Sequence, residues 1–210
     1  MIIFDFFSGT GSATQAFEDD GHTVISFEID GNFKATLHVN ILTLVAADLL
    51  LKYGRPDFIW ASPPCTAFSV ASASHHWIKG KDPLPKTQEA AEAQDLVEFT
   101  LKLIHELNPR LGWLMENPRG MLRKLSVVSA YPRRTVTYCQ YGDLHMKPTD
   151  LWGSVQGWTP IEPCKNGMLC HTPSPRGSNT GLQSLPNSKE RSRVPYKLGE
   201  EILNALKVIE

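Results

Sequence analysis

Apolar positions along the chain fall into short runs, each ending on small or polar residues. Ile2, Ile3, Phe4, Phe6 and Phe7 surround Asp5 in a strand-forming run that stops at Ser8-Gly9-Thr10-Gly11-Ser12 and gives way to helical patterning from Ala13 to Asp19. Thr23 to Phe27 is a second such run, ending on Glu28, Ile29 and Asp30. Phe58 to Ala61 ends on Ser62-Pro63-Pro64-Cys65, and Trp113 to Met115 ends on Glu116-Asn117-Pro118. Between Glu89 and Leu107 the positions Leu96, Phe99, Leu103, Ile104 and Leu107 recur at helical spacing, and Pro109 stops the run. Arg134 to Tyr138 alternates as a strand, and Lys197 to Leu206 reads as a short amphipathic helix. This strand-helix-strand order predicts an α/β fold with a parallel sheet, its polar strand tips gathered along the carboxyl edge.

Two stretches carry no sustained period. Residues 66–88, rich in Ser, His, Lys and Pro, are expected to form a long mobile loop, and a loop of that length in a compact domain usually serves function. Residues 153–193 hold much of the Gly and Pro and read as a loop-rich insert. The predicted organisation is therefore a core over 1–152, an insert over 153–193, and a C-terminal helix over 194–210 that completes the core.

Composition narrows the class. A chain of 210 residues suits one sizeable domain, and 41% hydrophobic with 20% charged residues excludes disordered and collagen-like chains. No apolar run approaches the length of a membrane span, and Met1 leads into a strand without a basic leader, so neither a membrane anchor nor secretion is expected. The four cysteines show no disulfide-framework spacing, which points to a reducing compartment. Charge is unevenly spread. Residues 1–108 carry 7 Lys/Arg against 14 Asp/Glu, whereas residues 109–210 carry 14 against 8. A basic C-terminal half fits a polyanion held on one side, and a merely solvated basic face explains the charge equally well.

The strand tips offer chemistry. Asp5 followed by Gly9 and Gly11 makes a tight turn that lets a ligand approach the backbone, and Glu28 is placed to accept ribose hydroxyls, as in nucleoside cofactor sites; a lone Gly-x-Gly turn also serves packing. Pro63 and Pro64 stiffen the chain and deliver the Cys65 thiol at a strand tip, the alternative being an inert buried thiol. Glu116 at the end of an apolar strand is expected to be desolvated, its pKa raised, and able to share a proton with a ring nitrogen; a structural cap for Asn117 or Arg119 is the alternative. Cys164, Cys170 and His171, with Cys139 or another residue as a fourth, offer zinc-type ligands. Their C-x5-C-H spacing matches no usual finger, so a plain loop without metal is favoured. His75 and His76, beside Trp77, Lys79 and Lys81, suit nucleic acid or solvent better than a metal.

Taken in order, Phe4 to Ser12, Ser62 to Ser69 and Glu116 to Pro118 resemble the C5-cytosine DNA methyltransferases, over residues 1–152 and about 190–206. The Pro-Pro-Cys block is the most specific. The resemblance implies a Rossmann-like S-adenosylmethionine-dependent methyltransferase fold with a small loop-rich insert, in the cytoplasm of a prokaryotic or phage-infected cell. It implies that S-adenosylmethionine is held by Asp5, Phe7, Ser8, Gly9, Thr10, Gly11 and Ser12, by Glu28 and Ile29, by Asn40 and Ile41, by Pro63, and by Ser192 and Val194. Cys65 attacks C6 of a cytosine flipped from DNA, Glu116 engages N3 and N4, and Ser62, Pro64, Phe68, Ser69, Asn117, Pro118 and Arg176 contact the substrate. The 66–88 loop is the element that closes behind the flipped base.

Departures from the family pattern carry their own expectations. Asn40-Ile41 stands where an acidic residue precedes isoleucine, and its side-chain carbonyl still offers the adenine amine an acceptor. Ser192 replaces an asparagine. His145, Lys147 and Thr149 match a Gln-x-Arg-x-Arg block, so Lys147 occupies the position of an arginine that holds the cytosine carbonyl, with a point charge in place of a planar fork. The insert is short. Lys165, Arg176, Lys189, Arg191 and Arg193 suit phosphates, while little surface remains to read base edges, so specificity is expected to be short or absent. An enzyme acting on cytosine nucleotides or RNA, and a non-catalytic relative that binds cofactor or DNA, are the rival readings; the oligomeric state stays open.

Overall fold

Along β1 (Ile2–Phe6) successive side chains enter two different cores: Phe4 and Phe6 pack on one face of the sheet, Ile3 on the other. Both faces of a strand are buried this way only when helices cover both sides, which is why the run is apolar on both faces apart from Asp5. The structure, a computed structural model, describes residues 1–173 and 187–208. After β1 come α1 (Gln15–Asp19), β2 (Thr23–Glu28), β3 (Leu37–His38), α2 (Ala46–Tyr53), β4 (Phe58–Ala61) and α3 (Ala73–His76). The chain continues through β5 (Trp77–Ile78), β6 (Leu84–Pro85), α4 (Gln88–Leu107), β7 (Gly112–Pro118), β8 (Arg133–Thr137), β9 (Pro148–Val155), α5 (Ser188–Ser192) and α6 (Tyr196–Lys207).

Seven strands form one sheet in the order β3-β2-β1-β4-β7-β9-β8. The first five run parallel, and β9 is antiparallel to both β7 and β8. The α2 and α4 side chains Leu49, Val97, Leu101 and Ile104 join Phe4, Phe6 and Ile59, whereas α1 and α6 contribute Phe17, Leu198, Ile202 and Leu203 to a core with Ile3, Phe58 and Trp60. The result is the expected α/β sandwich of Rossmann-like type. Thr87 caps α4 by accepting from Ala90 N, and Asn108 in the left-handed conformation ends it. Among the described residues no helix is long and apolar enough to cross a membrane.

Two sequence expectations need correction. Residues 66–88 are built of a 3-10 turn (Thr66–Phe68), α3 and the β5-β6 hairpin. Trp77 anchors them, buried, stacked on Phe68 at 5.8 Å and donating its indole N–H to the Ala67 carbonyl at 2.7 Å. Gly120 locks the start of this segment from the other side: a Cβ there would lie 2.2 Å from the Phe68 carbonyl oxygen, which accepts Met121 N at 2.7 Å. The second correction is β9, which the apolar pattern did not announce; it runs to Val155, so the sheet extends past residue 152.

Candidate active site

The register of the sheet decides which residues meet. Ala61 of β4 lies beside Met115 of β7, so the turn carrying Cys65 and the carboxyl end of β7 leave the sheet together. Because β9 is antiparallel, its first residues lie at that same edge: Pro118 pairs with Thr149, and Thr137, the last residue of β8, pairs with Pro148. Glu116, Tyr138 and Lys147 thereby converge on the Cys65 turn.

Asn117 fastens that turn. It is fully buried and donates its side-chain amide to the Pro63 carbonyl at 2.9 Å, while its own Oδ1 takes no hydrogen bond. Ser62 N donates to the Phe6 carbonyl, and Ser62 Oγ accepts the Trp60 indole N–H at 2.8 Å. Cys65, half-buried, precedes the 3-10 turn of Thr66–Phe68. Burial raises its thiol pKa, the Glu116 carboxylate raises it further, and Lys147 and Arg191 oppose both. Glu116 is buried and raised by desolvation, against the Lys147 charge and hydrogen bonds from Tyr138, whose hydroxyl donates at 3.2 Å, and Ser62. Lys147, 4% exposed, is lowered by desolvation and held up by Glu116 and Cys65. Its ammonium sits 4.4 Å over the Tyr138 ring, and its φ of 29° is one that L-residues seldom adopt outside functional sites.

A thiol, a carboxyl and an ammonium sharing one largely buried cluster have strongly linked protonation states. The arrangement suits a carboxyl kept protonated to donate to a ligand, and a thiol that ionises as that proton is shared.

A second group of predicted residues lies at the carboxyl ends of β1 and β2. Phe7, Gly9 and Gly11 all have positive φ (59°, 49° and 71°), which coils the chain tightly. Glu28 closes the coil: Oε2 accepts Gly9 N at 2.8 Å, and Oε1 accepts Ile29 N and Asp30 N. Ser12 Oγ accepts from Thr10 Oγ1 at 2.9 Å and from Val194 N at 3.0 Å, joining positions 182 residues apart. A cleft of about 570 Å³ opens between Thr10, Ser12, Tyr141, Arg193 and Val194. A second hollow, of about 440 Å³ between α4 and Ser126–Tyr131, contains none of the predicted site residues. Ser8 Oγ and Asp5 Oδ1 are buried without hydrogen bonds, and Ile29 is 66% exposed beside Glu28.

Asp5 is buried, and desolvation raises its pKa to about 7 despite the hydrogen bond from Thr14 Oγ1 at 2.7 Å. Since the folded state binds this proton more tightly than the unfolded chain, Asp5 favours folding at acid pH, and that contribution is lost as pH rises from about 4 through about 7. The cofactor-free Asp5→Asn protein is expected to gain stability over the wild type across that window, by roughly 4 kcal/mol at pH 8. Urea unfolding at a series of pH values checks this, and parallel curves for the two proteins would overturn it.

Not every predicted residue reaches a site. The Phe68 side chain, expected at the substrate, is 1% exposed and belongs to the core; Ser69 bonds Ser72 Oγ at 2.8 Å. Ile41 is likewise buried, and Asn40 Oδ1 accepts Leu42 N at 3.1 Å to start a 3-10 turn. Ser192 Oγ donates to the Lys189 carbonyl in α5. Lys189 lies over the Phe33 ring, whereas Arg191 comes near enough to Cys65 to lower its pKa. Arg176 lies outside the described residues. The residue that sequence reasoning missed is Tyr138; it ends an alternating strand just as Glu116 does, and that was its available signal.

Comparison with known proteins finds relatives of this chain. A probable DNA (cytosine-5)-methyltransferase of Frog virus 3 is 29% identical over 167 residues, covering 76% of this chain and 73% of that protein. Among solved structures, a Spodoptera frugiperda DNMT2 mutant aligns with 82% of this chain (16% identity, TM-score 0.45), and the S. pombe Dnmt2 methyltransferase with 77% (17% identity, TM-score 0.49). The chain spans 57% and 53% of those two proteins. Residues 1–127, more than half of the sequence, match the model of the C-5 cytosine-specific DNA methylases, and the chain belongs to that family.

Proposed function

We propose that the protein methylates C5 of cytosine in DNA through a covalent adduct on Cys65. The observation that carries this reading is the convergence of Cys65, Glu116 and Lys147 at one sheet edge, with Asn117 fixing the Pro63-Pro64-Cys65 turn.

The family's methyl donor, S-adenosylmethionine, supplies an electrophilic methyl group. The residues at the ends of β1 and β2 fit it: Ser8 Oγ and Asp5 Oδ1 are buried polar atoms without partners, Ile29 offers an exposed apolar face, and the neighbouring cleft is large enough to admit part of such a molecule. Asp5, Phe7, Ser8, Gly9, Thr10, Gly11, Ser12, Glu28, Ile29, Pro63 and Val194 make up the proposed pocket; the side chains of Asn40, Ile41 and Ser192 are engaged elsewhere and stand outside it.

Cytosine C5 is a poor nucleophile until C6 carries an electron-rich substituent. Cys65 loses its proton, and its sulfur adds to C6 while the protonated Glu116 donates to N3; the ring electrons then reside at C5. After C5 has gained a methyl group, a base removes the C5 proton, N3 returns its proton to Glu116, the C5–C6 double bond reforms and the Cys65 sulfur leaves as thiolate. Lys147 contributes a positive charge toward Glu116 and Cys65, which favours the thiolate and suits the cytosine carbonyl. Ser62, Pro64, Asn117 and Pro118 shape the base pocket. Lys165, Arg191 and Arg193, with Arg176, serve the phosphate backbone, so specificity is short or relaxed.

Transfer of a labelled methyl group to duplex DNA, single-stranded DNA, RNA and deoxycytidine nucleotides, each assayed alone, tests the reading. Duplex DNA is expected to be the best substrate, with affinity falling steeply with salt. Transfer confined to RNA or to free nucleotides overturns the DNA assignment.

A further inference from the structure

Outside the active site, four ligand-type side chains that are distant in sequence come together. Cys139, in the 3-10 turn Tyr138–Tyr141, meets Cys164, Cys170 and His171 of the insert, and the four ligand atoms all lie within 4.8 Å of one another. The Cys170 sulfur is 3.3 Å from that of Cys164 and 3.7 Å from that of Cys139, and all are free thiols. The His171 ring is buried with Nδ1 aimed into the group, 3.3 Å from the Cys164 sulfur and 3.6 Å from that of Cys170. A tetrahedral zinc ion with ordinary Zn–S and Zn–N bonds sets its ligands about 3.8 Å apart for S···S and about 3.6 Å for S···N. The observed spacings approach those edges and are far longer than a disulfide bond.

We propose that Cys139, Cys164, Cys170 and His171 bind one zinc ion in a closed, structural Cys3His site. Four protein ligands leave no open position for water or substrate, so the ion organises the chain and performs no chemistry. The need for it is visible in the insert. Apart from Cys139, Met146 and Cys164, which form a small apolar cluster of their own, the described residues of this region bury little, and Ile161, Met168 and Leu169 are exposed. Metal binding supplies the folding free energy that so small a core lacks. Two hydrogen bonds already bring the ligands into place: Cys164 N donates to Thr137 Oγ1 and Thr172 N to the Leu144 carbonyl, both at 2.8 Å. Since Cys139 follows Tyr138, whose hydroxyl donates to Glu116, the ion would also steady the turn between β8 and β9 from which Lys147 projects.

The test uses the full chain, expressed in zinc-supplemented cells and purified without chelator under reducing conditions. Elemental analysis is expected to find about one zinc per chain in the wild type and in Cys65→Ser, and less than about a fifth of that in Cys164→Ser and Cys170→Ser. His171→Cys is expected to retain the ion and His171→Ala to lose it. Reconstituting the wild type with cobalt(II) should give thiolate charge-transfer and tetrahedral ligand-field absorption, and stripping the zinc should lower the melting temperature by about 5 °C or more. A wild-type chain that purifies without zinc and gives no cobalt–thiolate absorption overturns the proposal, whether or not the variants fold. So does undiminished zinc in folded Cys164→Ser and Cys170→Ser, or a disulfide among these cysteines in the reduced preparation.

Discussion

Replacement of Cys65 by serine or alanine is expected to abolish methyl transfer, by at least about a thousandfold, and to leave S-adenosylmethionine affinity within about twofold of the wild type. A serine hydroxyl at that position is a far weaker nucleophile toward C6, so the covalent step fails while the rest of the machinery stays intact. The turn itself should survive, because its fastening runs through Asn117 and the Pro63 carbonyl rather than through the thiol. Calorimetry with the cofactor and single-turnover assays separate the two effects. A positive test runs alongside: duplex DNA carrying 5-fluorocytosine cannot lose its C5 substituent as a proton, so the adduct on Cys65 should accumulate and be located by peptide mass spectrometry. Substantial transfer by Cys65→Ala, or normal methylation of cytosine with no trapped adduct on the fluorinated base, sinks the mechanism.

For Glu116→Gln a loss of roughly 10² to 10⁴ in kcat is expected, since an amide can still donate a hydrogen bond to the ring but cannot share its proton. The sign of a second effect distinguishes this role from a structural one. The Glu116 carboxylate raises the Cys65 pKa, so removing its charge should move the thiol's titration to lower pH. Alkylation of Cys65 by iodoacetamide, followed at the level of its peptide, should therefore become faster at a given pH in the variant even as methyl transfer collapses. Wild-type kcat/KM should be bell-shaped in pH, and Glu116→Gln should lose one limb. Alkylation shifted to higher pH, or unchanged kcat, would contradict the assignment.

The sequence patterning found those parts of the fold whose burial comes from apolar residues. Ile2 to Phe6, Phe58 to Ala61, and the spacing from Leu96 to Leu107 each made the expected element, because side chains that must leave water announce their period. β9 was hidden for the opposite reason. Its Thr149 and Asp150 are fully buried yet polar, stabilised by the Arg123 guanidinium and Thr135, which contact Asp150 at 2.7 Å. These buried polar residues, together with Gly153, break the apolar pattern that Leu151, Trp152 and Val155 would otherwise have made. The strand tips Asp5, Glu28, Cys65 and Glu116 were legible because parallel strands deliver their ends to one edge. Tyr138 depends on two antiparallel strands and on a register that spacing does not encode. The cysteine cluster was not legible because the C-x5-C-H spacing matches no usual finger and only the β8-β9 turn brings Cys139 across to it.

The bond from Val194 N to Ser12 Oγ has a bearing on how the protein is made. α6 buries Leu198, Ile202 and Leu203 against Phe17, Phe58 and Trp60, so a segment made late finishes a core begun by strands far upstream of it. While a ribosome is still translating the middle of the chain, the first strands have emerged without the helix that covers their second face, and the Gly9–Ser12 coil lacks its partner from Val194. A nascent chain at that stage exposes apolar surface for as long as translation of the remaining residues takes, the interval in which chaperones or aggregation act on such surfaces. Native closure of the coil therefore waits until α6 clears the exit tunnel, and a message truncated before Leu198 would yield a chain with β1 and β2 made and the Gly9–Ser12 coil unsealed.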